Sequence, residues 1–221
     1  MAKLLSVSNE ALASGSGSSY ISTTGIYDVT IKFASVEQSK SGATQINFNI
    51  EHDGNTQAIY GPYISSKDGT PIKMGIKFLT ELGILAGLEE GDDLTTEEET
   101  FKVGKDGKEK EFTIIPELSD LEVKIRLQEE YSSYNGEISK RMVVKAFYRA
   151  KDGASAEEIT NKSEIGVRLA KDQAYATDVT YTDTTAEEVE EWKKARAEAA
   201  KAPKAEPKAA VKATGSVFKK Q

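Results

Sequence analysis

The sequence predicts a mainly β domain of five long strands, with one helix between the third and fourth strands. Several separate segments alternate apolar and polar residues with a period of two, which is typical of strands that bury one face. Turn-forming residues separate these segments. Between residues 70 and 85 the apolar residues instead recur every three or four positions, as they do on one face of a helix.

The first three strands form one consecutive group. Strand one begins after Gly25, and the apolar residues that share one face of it are Tyr27, Val29, Ile31 and Phe33. A turn at residues 39–42 leads into strand two at residues 46–50, which predicts a hairpin. Strand three covers residues 56–64, and Gly61 followed by Pro62 must bulge it or end it. We expect Tyr27, Phe33 and Phe48 in the core.

The helix is predicted from its start signals and its apolar spacing. Thr70 can cap it with Pro71 at the first position, and its apolar face is formed by Ile72, Ile76, Leu79, Leu82 and Leu85. A strongly acidic stretch at residues 89–99 and a hairpin at residues 101–115 follow. We interpret this hairpin as an insertion, because it interrupts the series of long strands.

Two further strands complete the predicted order. Alternation resumes at residues 121–127 and again at residues 142–148, with a polar loop at residues 131–137 between them. Three strands, a helix and two strands is the element order of an OB-fold, a five-stranded barrel. The sequence therefore predicts an OB-fold barrel with an inserted hairpin.

The flanking regions differ in composition from this domain. The predicted organisation is a flexible segment at 1–24, the OB-fold domain at 25–150, an extension at 151–202 with a helix at 186–200, and a disordered Lys/Ala/Pro tail at 203–221. Thr185 and Glu188 fit a capping box at the start of the helix. The tail has too few apolar residues to form a core of its own.

Composition excludes several kinds of catalytic and metal site. Cysteine is absent and His52 is the single histidine, which removes thiolate sites, redox pairs and any metal site with two histidines. We expect His52 to be an ordinary loop residue at the end of a strand. Phosphate-loop and dinucleotide fingerprints are missing, and the carboxylates at 92–93 and 97–99 lie in a solvated acidic run. We expect no enzymatic activity, no cofactor and no metal ion.

The charge distribution limits how the protein can bind an anion. The net charge is −7, but the last 21 residues carry six lysines against one glutamate, which leaves −12 for the first 200 residues. A binding surface for a polyanion must therefore be a local patch. No apolar stretch approaches the roughly 20 residues that span a bilayer, so we expect a soluble protein with no membrane partner.

Residues 25–149 resemble phage-encoded single-stranded DNA-binding proteins. The resemblance is carried by GIYDV at residues 25–29, SKSG at 39–42, INF at 46–48, KFL at 77–79 and the closing strand pair. It implies a protein of the infected host's cytoplasm that coats single-stranded DNA in phage replication, recombination or repair, largely without sequence preference. Phage replication or recombination proteins are candidate partners of the C-terminal region, and a homo-oligomer stays open. One departure from the family is the lysine-rich end: single-stranded DNA-binding proteins of bacteria and several phages end in an acidic tail that recruits replication partners, so the function of that tail does not carry over to this chain.

Strand parity predicts which side chains face a nucleic acid. Seven cations fall on outward positions or in the first turn: Lys32, Lys40, Lys124, Arg126, Arg141, Lys145 and Arg149. Five aromatic residues are candidates for stacking on bases: Tyr60, Tyr63, Tyr131, Tyr134 and Phe147. By alternation one of Tyr60 and Tyr63 should point inward.

Three alternatives stay open at this point. The cations can simply keep exposed sheet edges soluble, and the loop tyrosines can pack locally. The whole protein can also be a non-enzymatic phage accessory or structural β-protein that acts through protein–protein interaction.

Overall fold

The structure is a computed structural model that describes residues 20–103 and 107–201. Most of the segment predicted to be flexible, the tail predicted to be disordered and the centre of the inserted hairpin's turn lie outside these residues. Among the described helices, none is long and apolar enough to cross a bilayer.

The prediction of a mainly β protein is confirmed, with 45% of the described residues in strands and 24% in helices. Within the described residues the strands are β1 Gly25–Gln38, β2 Thr44–His52, β3 Asn55–Ser65, β4 Glu97–Val103, β5 Lys108–Ile115, β6 Leu121–Tyr134, β7 Glu137–Arg149 and β8 Thr180–Thr182. The α-helices in the same part of the chain are α1 Lys73–Ala86, α2 Ala156–Asn161, α3 Val167–Gln173 and α4 Ala186–Lys201, and a 3₁₀ turn covers Pro116–Leu118.

Strand β1 organises the sheet because it is long enough to pair with different partners along its length. Its first half pairs antiparallel with β6, and its second half pairs antiparallel with β2 and, over two residues, with β5. β3 extends the sheet beyond β2, and β4 extends it beyond β5. β7 pairs with β6 and shares no ladder with β3, so the sheet is open between these two edges.

The core lies between the inner face of this sheet and helix α1. Phe48, Ile125 and Leu127 are fully buried there, and Phe78 and Leu82 of α1 cover them. The prediction that Phe48 lies in the core is thus confirmed, whereas Tyr27 is only partly buried against the core's edge.

Helix α1 begins later than its sequence signals suggest. Its N-cap position is Ile72, which has no side-chain cap, so the prediction of Thr70 as the cap is wrong. The Asp68 side chain instead accepts the backbone N–H of Thr70, and the Thr70 carbonyl accepts the Ser66 hydroxyl. These bonds hold Thr70 in the loop that leads from β3.

Two β-bulges change which side chains share a face. In β1 the pairing with β2 skips Lys32, and in β7 the pairing with β6 skips Lys145. An extra residue in one strand reverses the alternation beyond it. Phe33 therefore leaves the face of Val29 and Ile31, so its predicted face is wrong. Its predicted burial is confirmed, because it is buried on the opposite face.

The inserted hairpin is formed by β4 and β5 and covers the outer face of the sheet. Phe101 stacks on Phe33 with ring centroids 4.0 Å apart, and Phe112 lies 5.0 Å from Phe33. These three rings form a second apolar cluster. β4 begins at Glu97, so the last glutamates of the acidic stretch belong to a strand.

The C-terminal extension packs on β6 and β7. The predicted helix is confirmed as α4, and Thr185 and Glu188 form its predicted capping box. β8 pairs parallel with β6, and Val189 of α4 is fully buried. The region before it, where the sequence gives weak signals, contains α2 and α3.

Candidate nucleic-acid interface

A groove separates the facing edges of β3 and β7, and we call it the β3–β7 groove. Its volume is about 620 Å³. Tyr60, Pro62 and Tyr63 line it from β3, and Lys140 and Arg141 line it from β7. The structure therefore brings three of the predicted site residues, Tyr60, Tyr63 and Arg141, into one depression.

The bulge predicted at Gly61 and Pro62 positions the two tyrosines. The β2–β3 ladder pairs Gln45 with Tyr63 and Asn47 with Tyr60, so β3 has one residue more than β2 between these pairs. The Gln45 side chain donates a 2.8 Å hydrogen bond to the Gly61 carbonyl in the bulge. Tyr60 is 68% exposed and Tyr63 is 44% exposed, so the expectation that one of them points inward is wrong.

The cations in and beside the groove are paired with carboxylates of β6. Arg141 and Lys145 each lie 2.7 Å from Glu130, and Lys140 lies 3.3 Å from Glu129. Partial burial raises the pKa of Glu130, but hydrogen bonds and attraction from Lys145 and Arg141 outweigh burial and hold the pKa below its ordinary value. Of the charged side chains that line the groove itself, the two cations Lys140 and Arg141 outnumber the one carboxylate, Glu130.

Three predicted cations lie away from the groove in ion pairs of their own. Lys32 pairs with Asp120, and Lys124 pairs with Asp28 across the β1–β6 ladder. Arg149 binds both carboxylate oxygens of Asp152, at 2.7 and 2.9 Å. This arrangement agrees with the alternative that such cations serve the solubility of the sheet surface.

Lys40 lies in the turn between β1 and β2, as predicted. This turn packs against the loop after β3: a Cβ built on Gly42 would lie 3.7 Å from the Cβ of Lys67. The contact places Lys40 and Lys67 in neighbouring loops at one end of the sheet.

The prediction that Arg126 faces outward for binding is wrong, because helix α3 covers this part of β6. The Arg126 side chain is 13% exposed and lies 3.2 Å from Asp172. Asp172 also accepts hydrogen bonds from the Tyr148 hydroxyl and, at 3.0 Å, from Arg168. Burial raises the pKa of Asp172, but these three partners outweigh it and lower the pKa. The cluster fastens α3 to the sheet.

Two of the predicted aromatic residues are buried. The bulge at Lys145 turns Phe147 inward, where its ring lies 5.3 Å from both Phe48 and Phe78. The ring is 4% exposed, so the predicted outward position is wrong and the ring is not available to stack on a base.

Tyr131 lies in β6 and not in a loop, so that prediction is also wrong. The rings of Tyr181 and Trp192 pack against it, at centroid distances of 6.0 and 6.1 Å. Burial and the hydrogen bond that its hydroxyl donates to Glu129 raise its pKa to about 12. Tyr134 is the last residue of β6 and is 79% exposed. It does not line the groove, and its role stays a prediction.

Lys140, Glu130 and a second pocket are not predictable from the sequence pattern alone. Glu130 directly precedes the predicted loop and Lys140 follows it, and their importance depends on the β6–β7 register, which places Glu130 opposite Arg141. The pocket lies on the outer face of β2 and β3, has a volume of about 220 Å³ and is walled by the hairpin β4–β5. The outward alternation of Asn47 and Asn49 was the one sequence signal for it.

No family model matches this chain, and the search of curated proteins likewise gave no match. Within the described residues, no group of three or more histidine, aspartate or glutamate side chains is arranged to hold a metal ion.

Proposed function

We propose that this protein binds single-stranded DNA in the β3–β7 groove and coats the strand during phage DNA replication, recombination or repair. One observation carries the proposal: two exposed tyrosines, Tyr60 and Tyr63, share a groove with Arg141 and Lys140. Exposed aromatic rings beside cations are the combination that binds unpaired nucleotides without sequence preference.

In this proposal the aromatic residues of the groove bind the bases, and the cations bind the phosphates. Stacking on an aromatic ring contributes about 1–3 kcal/mol per base, and it needs a base whose face is free. Arg141 and Lys145 can exchange Glu130 for a backbone phosphate, because both are charged and lie near the groove. A duplex keeps its bases stacked inside, so the same groove favours the single strand. Binding of this kind protects the strand by mass action and involves no chemical step.

We also propose that β1, β2, β3, β6 and β7 form an OB-fold barrel, with α1 between its third and fourth strands. The connectivity supports this assignment, since β1 pairs with both β2 and β6 and the β3 and β7 edges face each other. The groove is then the seam of the barrel, and β4–β5 is the insertion. The proposal includes the resemblance to phage single-stranded DNA-binding proteins, with the infected host's cytoplasm as the location and phage replication or recombination proteins as partners.

The salt dependence of oligo(dT) binding tests the proposal. Each phosphate contact to a single strand contributes a slope of about −0.7 in log K against log salt, so Lys140, Arg141 and the adjacent Lys145 together should contribute about −2. Fluorescence anisotropy with labelled oligo(dT), and with a duplex of equal length as control, measures both quantities. A flat salt response, or equal affinity for the duplex, would contradict the proposal.

A second recess favours the alternative of a protein-binding function. It lies between α1 and α2, has a volume of about 690 Å³ and is mostly apolar, with Ile76, Ile84 and Ala156 in its lining. If oligo(dT) does not bind, this recess is the surface to test for a protein partner.

A further inference from the structure

The outer face of β2 and β3 carries a second, smaller pocket beside the groove, which we call the outer pocket. Its floor includes Asn47 and Asn49 of β2, and its walls include Tyr60 of β3 and Phe112 of β5. Its volume of about 220 Å³ is below the range of roughly 300–1,000 Å³ that suits drug-sized ligands. We propose that the outer pocket holds one unpaired nucleobase of the bound strand, an inference that rests on the proposed binding of single-stranded DNA.

The outer pocket shares part of its lining with the β3–β7 groove. Ala58, Ile59 and Tyr60 line both depressions, so the Tyr60 ring stands between them. A strand that stacks on Tyr60 in the groove can place the next base in the outer pocket without leaving the surface of β3.

One ring of the pocket is held in place by the inserted hairpin. Phe112 packs 5.0 Å from Phe33 and 6.3 Å from Phe101, in the second apolar cluster. A ring fixed in this way loses little conformational entropy when a base packs against it. The hairpin thus contributes a surface that the five long strands alone do not have.

The floor of the pocket contains an unsatisfied acceptor. Asn47 Oδ1 is buried, and it receives no hydrogen bond from the described residues. Buried polar atoms are normally hydrogen-bonded, and every nucleobase has an N–H donor on the edge that pairs in a duplex. The oxygen is not accessible in this conformation, so a base reaches it only when a neighbouring group moves. Tyr60, which is paired with Asn47 in the ladder and mostly exposed, has room to turn.

A cation lies at the same pocket. Lys110 Nζ is 4.3 Å from the centroid of the Phe112 ring and 3.4 Å from Glu37, and its side chain is more than half exposed. A phosphate next to the inserted base can replace Glu37 as its partner. An unpaired base edge, an aromatic wall and a cation together point to a nucleotide of a single strand, because a duplex hides the base edge.

The test compares the full-length wild-type chain with Asn47→Ala, using oligo(dT) and an abasic strand of the same length. We expect Asn47→Ala to weaken oligo(dT) binding about three- to tenfold, the effect of one lost hydrogen bond. Affinity for the abasic strand should not change, because that strand has no base edge. Asn161→Ala, at the exposed end of α2, is the matched control and should bind both strands as the wild type does.

A second variant, Lys110→Gln, keeps the test decisive if Asn47→Ala fails to fold. It should reduce the magnitude of the salt slope for oligo(dT) by about 0.7. If the wild type binds oligo(dT) but Asn47→Ala binds it equally well, or loses the same factor on the abasic strand, the outer pocket does not hold a base. An unchanged slope in Lys110→Gln also overturns the inference. If the wild type does not bind oligo(dT) at all, the proposed function itself fails.

Discussion

Gly61 determines where the two tyrosines of the groove point. A Cβ at this position would lie 2.6 Å from the Phe48 ring and 2.9 Å from the Ile46 carbonyl, so any larger residue would push β3 away from β2. Pro62 has no N–H to donate to a neighbouring strand. Glycine and proline together therefore stabilise the bulge that exposes both rings.

Tyr60→Ala should weaken the binding of oligo(dT) by about 1–3 kcal/mol, because a stacking surface is lost. The ring is mostly exposed, so we expect the unfolding temperature to stay close to that of the wild type. Anisotropy titration and thermal unfolding measure the two effects. Tyr175→Ala removes an exposed tyrosine outside the groove and is the control. A Tyr60→Ala variant that unfolds earlier but binds normally would assign the ring a packing role.

Glu130→Gln should strengthen the binding of single strands and steepen its salt dependence. In the proposed complex, the carboxylate competes with phosphate for Arg141 and Lys145, and glutamine removes that competing charge. Affinity measured at two salt concentrations gives both quantities. Asp152→Asn is the control, because it frees Arg149 away from the groove. If both variants raise affinity equally, net charge and not the groove explains the effect.

At the scale of elements, the spacing of apolar residues predicts most strands and α1. It does not predict which face a side chain occupies after a β-bulge. Counting alternate residues places Phe33 and Phe147 on the wrong faces, because each follows a bulged lysine. The sequence of β7 does not indicate the bulge at Lys145, because apolar residues lie on both sides of this lysine. Only the pairing with β6 shows that one residue is extra.

Tyr131 shows why part of the candidate site could not be predicted. The polar residues around it and the turn at Asn135 and Gly136 are typical of a loop. The strand continues because β8 pairs with it and Trp192 of α4 covers the ring, and both contacts come from more than 45 residues away in the chain. Local sequence patterns contain no information about such long-range packing.

Asp172→Ala should destabilise the attachment of α3. The change leaves the buried Arg126 without its carboxylate, and breaking a buried ion pair typically costs about 3–5 kcal/mol. Urea unfolding at neutral pH measures the loss. Arg149 and Asp152 form a more exposed pair, so Asp152→Ala is the control and should cost much less.

The ion pair between Arg126 and Asp172 also predicts how the free energy of unfolding depends on pH. The pKa of Asp172 in the folded protein lies below its ordinary value of 3.8, so the carboxylate stabilises the fold above that pH. This contribution decreases as the pH falls from 3.8 through the lowered pKa. The difference in unfolding free energy between wild type and Asp172→Ala should therefore shrink in acid. A difference that stays constant down to pH 2 would show that Asp172 acts by packing alone.

At the scale of the whole molecule, the net negative charge means that only a local surface can bind a polyanion. The first 200 residues carry a net charge of −12, and such a charge does not attract a polyanion at long range. The groove combines exposed rings with more cations than carboxylates over a few residues. We therefore expect affinity to depend on the groove contacts more than on the protein's total charge.

The fold also requires more of the chain than the five long strands. Residues 151–201 supply β8 beside β6, the α3 cluster around Asp172 and the α4 residues that bury Tyr131. Removing them would expose the rings of Tyr131 and Tyr148, both of which are almost completely buried. It would also leave Arg126 unpaired. The C-terminal extension is thus part of the folded unit, whereas the tail at 203–221 lies outside the described residues.

Two truncations test this division of the chain. A protein that ends at residue 150 should fail to fold or should unfold at a much lower temperature, because it exposes two large rings and an unpaired arginine. A protein that ends at residue 202 should unfold at the wild-type temperature. Circular dichroism during heating measures both, with the full-length chain as reference.

Removing only the tail, in the chain that ends at residue 202, should also change the binding of DNA, and the size of the change should depend on the salt concentration. The tail at 203–221 contains five lysines against one glutamate, and a tethered cationic segment adds phosphate contacts at high local concentration. The chain that ends at 202 should therefore bind oligo(dT) slightly more weakly, with a larger loss at low salt than at high salt. If that chain unfolds early, the tail belongs to the folded unit. If it loses binding equally at both salt concentrations, the tail contributes more than its charge.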